Sequence, residues 1–326
     1  MRRFAKALGR GLIVLALLLG TVWIFAPAEP VDRKIDFRAD QIGADVDAYL
    51  AKGEAAFPDI TPGVEKRMVW AGVPGQKTAL SIVYIHGFSA TSEEIRPVPD
   101  DVAKALGANL FFTRLTGHGL TGEALANARA GDWLEDMAEA MDIGRRTGER
   151  VLVISTSTGA TVAALAAADP ELSKGLAGLV MISPNFGIRN PAARLLDMPL
   201  ARWWGPLVAG AERSFAPANA DHGKYWTTSY PTTALFPMAA LIRAARSEDY
   251  TKASVPALFI YSESDQVIDP TVIPQIAEAW AGPVTENIRT MGPGDDPYAH
   301  VIAGDILSPG QTTETVAAIV DWAGGL

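Results

Sequence analysis

Two uninterrupted apolar runs, Val151-Leu-Val-Ile154 and Leu179-Val-Met-Ile182, decide most of what this chain can fold into. A strand with one wet face alternates apolar and polar residues, so a run that is apolar at every position must be covered on both faces. That is the condition of a central strand in a parallel sheet. Further β-rich runs occur at Leu80–Ile85, Asn109–Thr113, Ala257–Tyr261 and Glu286–Thr290, and helical patterns separate them. Trp133–Arg146 sets Leu134, Met137 and Met141 on one helical face, and Ala160–Ala168 is an Ala-rich helix suited to close packing. The alternation predicts an α/β fold: a doubly wound, mostly parallel sheet with right-handed crossovers.

The rhythm stops after Ser183. From about residue 185 to 249 no strand pattern is visible, yet Trp203, Trp204, Tyr225, Trp226, Tyr230 and Phe236 fall there, which reads as an insertion. Ahead of the strands, residues 29–65 form a mixed, charged spacer with a predicted helix over 45–56, leading into a domain spanning 66–326.

Residues 1–28 have a different character. Arg2, Arg3, Lys6 and Arg10 precede an apolar run from Gly11 to Ala26, and no acid occurs before Glu29. A basic flank ahead of such a run is a targeting pattern, here of a length between a cleaved signal peptide and a spanning helix of about 20 residues. Ala26-Pro27-Ala28 has the small-x-small form of a cleavage site, and the flanking charges equally suit an uncleaved anchor with its N-terminus in the cytoplasm. Either outcome makes the following domain exported, membrane-anchored or released after Ala28. Residues 29–326 carry 24 Lys/Arg and 37 Asp/Glu, a net charge of −13, against −9 for the whole chain. Such a surface repels a phosphate backbone, so no nucleic-acid partner is expected. The chain has no cysteine, which removes disulfides, thiolate metal sites and thiol catalysis from consideration. No metal site and no phosphate loop is indicated: Gly117-x-Gly119 lacks the dinucleotide-binding spacing, and Asp295-Asp296 alone holds no ion.

The chemistry concentrates in Arg150-Val-Leu-Val-Ile-Ser-Thr-Ser157-Thr-Gly159-Ala, an apolar strand, a tight turn with a central serine, and an Ala-rich helix. A sharp strand-to-helix turn lifts a serine hydroxyl clear of the sheet if small residues flank it at two positions before and after. Ser155 stands where the G-x-S-x-G pattern has its first glycine, so a bare pattern search passes over the segment. Capping of the helix at Ala160 by Ser and Thr is the competing explanation of the same residues. A second segment, Ile82-Val-Tyr-Ile85-His86-Gly87-Phe88, ends a strand in a flexible loop. Its amide at Phe88, with that of Thr158 after the serine, is predicted to form an oxyanion hole.

Serine needs a base, and the histidines are His86, His118, His222 and His300. His86 and His118 sit in loops just after strands and read as structural; His222 lies in the insertion, where a surface position is expected. His300 follows the last predicted strand and is the leading base. The loop after Ala257–Tyr261 offers two acids. Asp265 lies directly after the strand and completes the chain order Ser, Asp, His, whereas Asp269 precedes Pro270, where a helix N-cap explains it.

Together these segments resemble the α/β-hydrolase superfamily, in its monoacylglycerol-lipase and carboxylesterase-like branch, from about Leu80 onward. Leu115-Thr-Gly-His118-Gly119 is similar to that branch's Pro-Gly-His-Gly turn, and Asp265-Gln-Val-Ile-Asp-Pro270 resembles its Asp-x-x-Val-x-Pro run. The resemblance implies an eight-stranded, mostly parallel sheet with a helical lid after strand six, Asp265 as the family's acid, and cofactor-free hydrolysis of a small or lipid-like ester. A peptidase or amidase using the same residues, and a non-catalytic binding protein on a hydrolase fold, are the alternatives. Within the lid, Trp204 and Trp226 are the candidate substrate-binding residues, because indoles supply large apolar contact area.

Overall fold

The computed structural model describes residues 2–326. In chain order the strands are β1 (Arg67–Val69), β2 (Thr78–Ile85), β3 (Asn109–Phe112), β4 (Gly148–Thr156), β5 (Leu176–Ile182), β6 (Glu212–Ser214), β7 (Ser229–Pro231), β8 (Ala257–Tyr261) and β9 (Val284–Ile288). The helices are α1 (Arg2–Phe25), α2 (Val46–Glu54), α3 (Val98–Leu106), α4 (Gly122–Asn127), α5 (Ala130–Thr147), α6 (Thr158–Ala168), α7 (Ala201–Ala209), α8 (Ala220–Tyr225), α9 (Leu235–Arg246), α10 (Ile273–Ala279) and α11 (Thr312–Ala323). The central sheet runs β1-β3-β2-β4-β5-β8-β9, parallel except for β1 on β3.

Strand pleating explains why β4 and β5 are apolar throughout. Val151, Val153, Leu179 and Met181 point to one face and pack with residues of α5 and α6, while Leu152, Ile154, Val180 and Ile182 point to the other, with residues of α3 and α11. One sheet thus divides two apolar layers, and its carboxyl edge collects the loops that follow β2, β4, β5, β8 and β9. In open α/β sheets that edge is where ligands bind.

Seven strands form this sheet among the described residues, one fewer than the resemblance implied. The chain ahead of β1 is instead fastened by its side chains and amides to the body. Glu54, at the end of α2, makes a two-pronged ion pair with buried Arg114, both contacts 2.7 Å, and Tyr49 donates to Glu139 at 2.6 Å. The amide of Phe37 donates to Glu135 of α5 at 2.8 Å. Held along α5 in this way, the segment adds no strand to the edge at β1 among the described residues. Asp45 caps α2 by accepting from the Ala48 amide at 2.9 Å, within the range predicted for a helix there.

The insertion consequently leaves the sheet after β5, the fifth strand in chain order rather than the sixth. It consists of α7, α8, α9, short 3-10 turns and a two-stranded ribbon, β6 against β7, with three residues in each strand. The absence of strands expected for residues 185–249 is therefore corrected. Three exposed or half-buried residues per strand are too few to display a period. The insertion, residues 185–249, holds seven Arg/Lys and five Asp/Glu, a net +2 against −9 for the whole chain. Arg194, Arg213, Lys224 and Arg246 are exposed on it, as is Trp203 at 78%.

Candidate active site

Ser157 occupies the turn from β4 into α6 with φ 50° and ψ −116°, a backbone state that L residues rarely adopt and that functional turns retain. Its surroundings hold it there. The Ser157 amide donates to the Ile182 carbonyl at 2.9 Å, and its own carbonyl accepts from Ala160 at 3.0 Å and Asn185 at 3.2 Å. Gly159 must lack a side chain, because a Cβ would lie 2.4 Å from the Ile85 carbonyl oxygen and 2.5 Å from that of His86. Ser155 fits where glycine was anticipated by donating its hydroxyl to the Val180 carbonyl of β5 at 2.8 Å. The Ser157 side chain makes no capping bond to α6, so helix capping does not account for it.

That hydroxyl faces His300 instead. Ser157 Oγ lies 3.0 Å from His300 Nε2, and His300 Nδ1 lies 2.7 Å from Asp265 Oδ2. The second oxygen of Asp265 accepts the amides of Val267 at 2.7 Å and Ile268 at 2.9 Å, which fixes the carboxylate in a fully buried position. Burial alone would lower the pKa of His300; the adjacent Asp265 charge and hydrogen bond outweigh it, with smaller help from Glu94 and Asp296, and the pKa is raised. This geometry can move a proton from the serine to Nε2 while Asp265 keeps Nδ1 as a donor. Asp269 is elsewhere: it caps the 3-10 turn at Pro270–Val272 by accepting from the Thr271 amide at 3.1 Å.

The loops that follow β5, β8 and β9 are also tied to one another. Ser183 Oγ donates to the His300 carbonyl at 2.6 Å, the Gln266 amide to Tyr298 at 2.8 Å, and Arg189 to the Asp265 carbonyl at 2.6 Å.

Thr158 follows the serine directly in the chain, and Phe88, in the loop after β2, lines the same cavity as Ser157. Thr158 opens α6, so its N–H has no helical acceptor, and among the described residues neither amide donates to a protein group. His86 is fully buried, with Nδ1 at 2.9 Å from the Gly87 carbonyl and Nε2 accepting from Leu115 at 3.1 Å; desolvation pushes its pKa down to about 3. His118 is likewise buried, its pKa lowered to about 4 by desolvation. Both stay neutral and shape the loops.

A cavity of about 470 Å³ opens above Ser157 and His300. Phe88, Trp226, Tyr230, Leu235, Met238 and Leu307 give it apolar walls. Trp226 is 8% exposed and lines this space, with the His222 ring 4.7 Å away between centroids. His222 was expected on the surface and is instead half-buried in the cavity wall. Trp204 does not line the cavity; its indole N–H donates to the Pro199 carbonyl at 2.9 Å. Glu94, which sequence inspection did not single out, does line it and is 2% exposed. Only its place beside His86-Gly87-Phe88 hinted at this, since a loop carboxylate has no periodicity to reveal burial. Among the described residues no group of three or more His, Asp or Glu is placed to hold a metal ion.

Comparison with known proteins agrees with this architecture. The sequence profile of the family described as "Serine aminopeptidase, S33" matches residues 76–286. A thermostable monoacylglycerol lipase of Bacillus sp. (strain H-257) is 24% identical over 192 residues, 59% of this chain and 72% of that protein. Among solved structures, one from work on the metagenome-derived lipolytic enzymes LipS and LipT superposes with a TM-score of 0.67 at 19% identity, covering 82% of this chain and all of that one. A monoacylglycerol lipase of Paleococcus ferrophilus gives 0.58 at 15% identity, covering 80% of this chain and 99% of its own. At these identities the structures speak for the fold.

Proposed function

This chain belongs to the α/β-hydrolase family described as serine aminopeptidase, S33, and from that premise we propose that it is a carboxylic ester hydrolase acting through Ser157, His300 and Asp265. The supporting observation is the unbroken hydrogen-bonded line from Ser157 Oγ through both ring nitrogens of His300 to Asp265, at 3.0 and 2.7 Å. His300 takes the hydroxyl proton as Oγ attacks the acyl carbon; the carbonyl electron pair moves to oxygen, facing the Phe88 and Thr158 amides. Collapse of that intermediate expels the alcohol, which receives the proton from His300, and water repeats the sequence on the acyl-enzyme. A lipid-like monoacyl ester is the substrate class, in keeping with the apolar walls and the lipase relative. The insertion serves as its lid. An amine-recognising peptidase needs an uncommitted acid near the scissile bond. Of the two acids in the cavity, Asp296 is spent on the amides of Tyr298, His300 and Val301 at 3.0, 3.0 and 2.9 Å. The test is labelling of the full chain by a fluorophosphonate, followed by esters of graded acyl length. Neither labelling nor ester turnover would end this reading.

Trp226 and Trp204 separate within the lid. Trp226→Ala removes an indole from the cavity wall and is expected to lower kcat/KM for long-chain esters by about 10- to 100-fold, the equivalent of about 1–3 kcal/mol of apolar contact, with a smaller loss on acetate esters. Trp204→Ala, outside the cavity, should affect all acyl lengths alike. Equal losses across the series for Trp226→Ala would make that ring structural.

The apolar helix α1 is long enough to cross a membrane or to act as a signal sequence. We propose that it delivers the hydrolase to the far side of the cytoplasmic membrane. Alkaline phosphatase fused after residue 35 is then active in cells; an inactive fusion alongside a working cytoplasmic reporter would refute export.

A further inference from the structure

Glu94 is a carboxyl group buried against the reaction centre that the triad mechanism leaves unused. A Cβ built on Gly87 would lie 2.6 Å from Glu94 Oε1 and 3.1 Å from the Cβ of Ser157, so this oxygen and the nucleophile crowd the same point. The two oxygens differ. Oε2 accepts from the Gly87 amide at 2.7 Å and from the Tyr84 hydroxyl at 3.2 Å, and Tyr84 in turn meets Thr156 at 3.2 Å. Oε1 has no hydrogen-bond partner among the described residues, and the carboxyl lines the cavity. With its lone pairs engaged by two donors, Oε2 is the acceptor oxygen. A proton on this carboxyl therefore resides on Oε1.

We propose that Glu94 works in its neutral form, its Oε1–H serving with the Phe88 and Thr158 amides as a third donor to the oxygen that becomes negative during acyl transfer. The inference rests on the ester-hydrolase function proposed above and adds no net proton transfer: the proton stays on Glu94 while the serine proton goes to His300. Ionisation of Glu94 replaces a donor by a negative charge next to the developing oxyanion, and the reaction is suppressed.

The electrostatic surroundings agree. Desolvation raises the Glu94 carboxyl to about 7, against the opposing effects of the Gly87 amide, the His300 charge and the Tyr84 hydroxyl. From the other elements around the cavity, His300 is the group whose charge reaches it. Asp296 is engaged by backbone amides, and His222 and Tyr230 of the insertion also face the space. Its chain neighbours Glu93 and Arg96 pair with each other at 2.9 Å, and Arg67 of β1 joins them through Glu93 at 3.1 Å. The active state needs neutral His300 and neutral Glu94. Activity therefore falls on the acid side as His300 protonates and on the alkaline side as Glu94 ionises through about 7.

The experiment is the pH dependence, from about pH 5 to about pH 9, of kcat/KM for a p-nitrophenyl ester and of the rate of fluorophosphonate inactivation, which requires no knowledge of the natural substrate. Wild type, Glu94→Gln and Glu94→Leu are compared as full chains, with melting temperatures recorded. The Gln amide preserves a donor that cannot ionise. Glu94→Gln is expected to keep activity within about tenfold at its optimum and to lose the alkaline limb, leaving the acid limb set by His300 as the only one. Glu94→Leu is expected to lower kcat by about 10²- to 10³-fold with little change in KM, as loss of an oxyanion donor does. An alkaline limb unchanged in Glu94→Gln would overturn the proposal. So would losses confined to substrates with a free α-amino group, which would make Glu94 an amine anchor. Absence of labelling at wild-type Ser157 would instead refute the hydrolase function itself and this proposal with it.

Discussion

Ser157→Ala is expected to abolish fluorophosphonate labelling and to lower kcat by about 10⁶-fold, while the melting temperature stays near that of the wild type. The size of the loss follows from cooperation. Without Oγ, His300 has no proton to accept and Asp265 no imidazolium to stabilise, so one deletion costs about as much as removing the whole unit. A residual rate above that of water should remain from the amides of Phe88 and Thr158 and from binding in the cavity. The fold should tolerate the change, because the Ser157 side chain caps nothing, and its backbone bonds to Ile182, Ala160 and Asn185 do not involve the hydroxyl. A folded Ser157→Ala protein with wild-type kcat would exclude the proposed chemistry.

Asp265→Asn is expected to reduce kcat by about 10⁴-fold, and Asp269→Asn by little, although each removes one negative charge from the same loop. Asp265 accepts from His300 Nδ1, and an amide NH₂ turned toward that nitrogen would favour the opposite tautomer, with the proton on Nε2 facing the serine. The two amides on Asp265 Oδ1 oppose a simple flip, since they would then face an NH₂ group. Asp269 is a cap, and Asn accepts the same Thr271 amide. Measuring kcat for both variants, with circular dichroism to establish folding, decides the assignment; a crippled Asp269→Asn beside a near-normal Asp265→Asn would reverse it.

The parts of this molecule legible in the sequence are those in which burial imposes a pattern on consecutive residues. β8 lies at Ala257–Tyr261 as expected, and β4 and β5 cover their apolar runs, because two-sided burial excludes polar residues from every position. The elbow was visible despite Ser155, since its setting between an apolar strand and an Ala-rich helix is itself a constraint. Asp265 was separable from Asp269 because proline marks the capping position. What escaped was set by contacts distant in the chain. β1 has three residues and pairs at an edge; the spacer's path depends on acids of α5; and the ribbon in the insertion has no buried face. Trp204 and Trp226 have the same composition signal and different surroundings, which only the packing of the insertion distinguishes. Glu94 is the sharpest case: its neighbour Glu93 reads identically in sequence, yet Glu93 forms ion pairs with Arg67 and Arg96 while Glu94 is buried in the cavity wall with Ser157.

The basic insertion on an acidic body has a consequence for how the molecule meets a charged surface. Its cations, Arg194, Arg213, Lys224 and Arg246 among them, lie on the insertion that supplies Phe215, His222, Trp226 and Tyr230 to the cavity wall, whereas the chain as a whole is at −9. Charge separated in this way is a dipole, and in a field it experiences a torque before any contact forms. Near an anionic interface the basic insertion is attracted while the acidic remainder is repelled. At physiological salt the Debye length is about 8 Å, so this turning acts over the last nanometre of approach and fades as ionic strength rises. Orientation relative to a surface is thereby encoded in the distribution of charge, independently of the net value that composition reports.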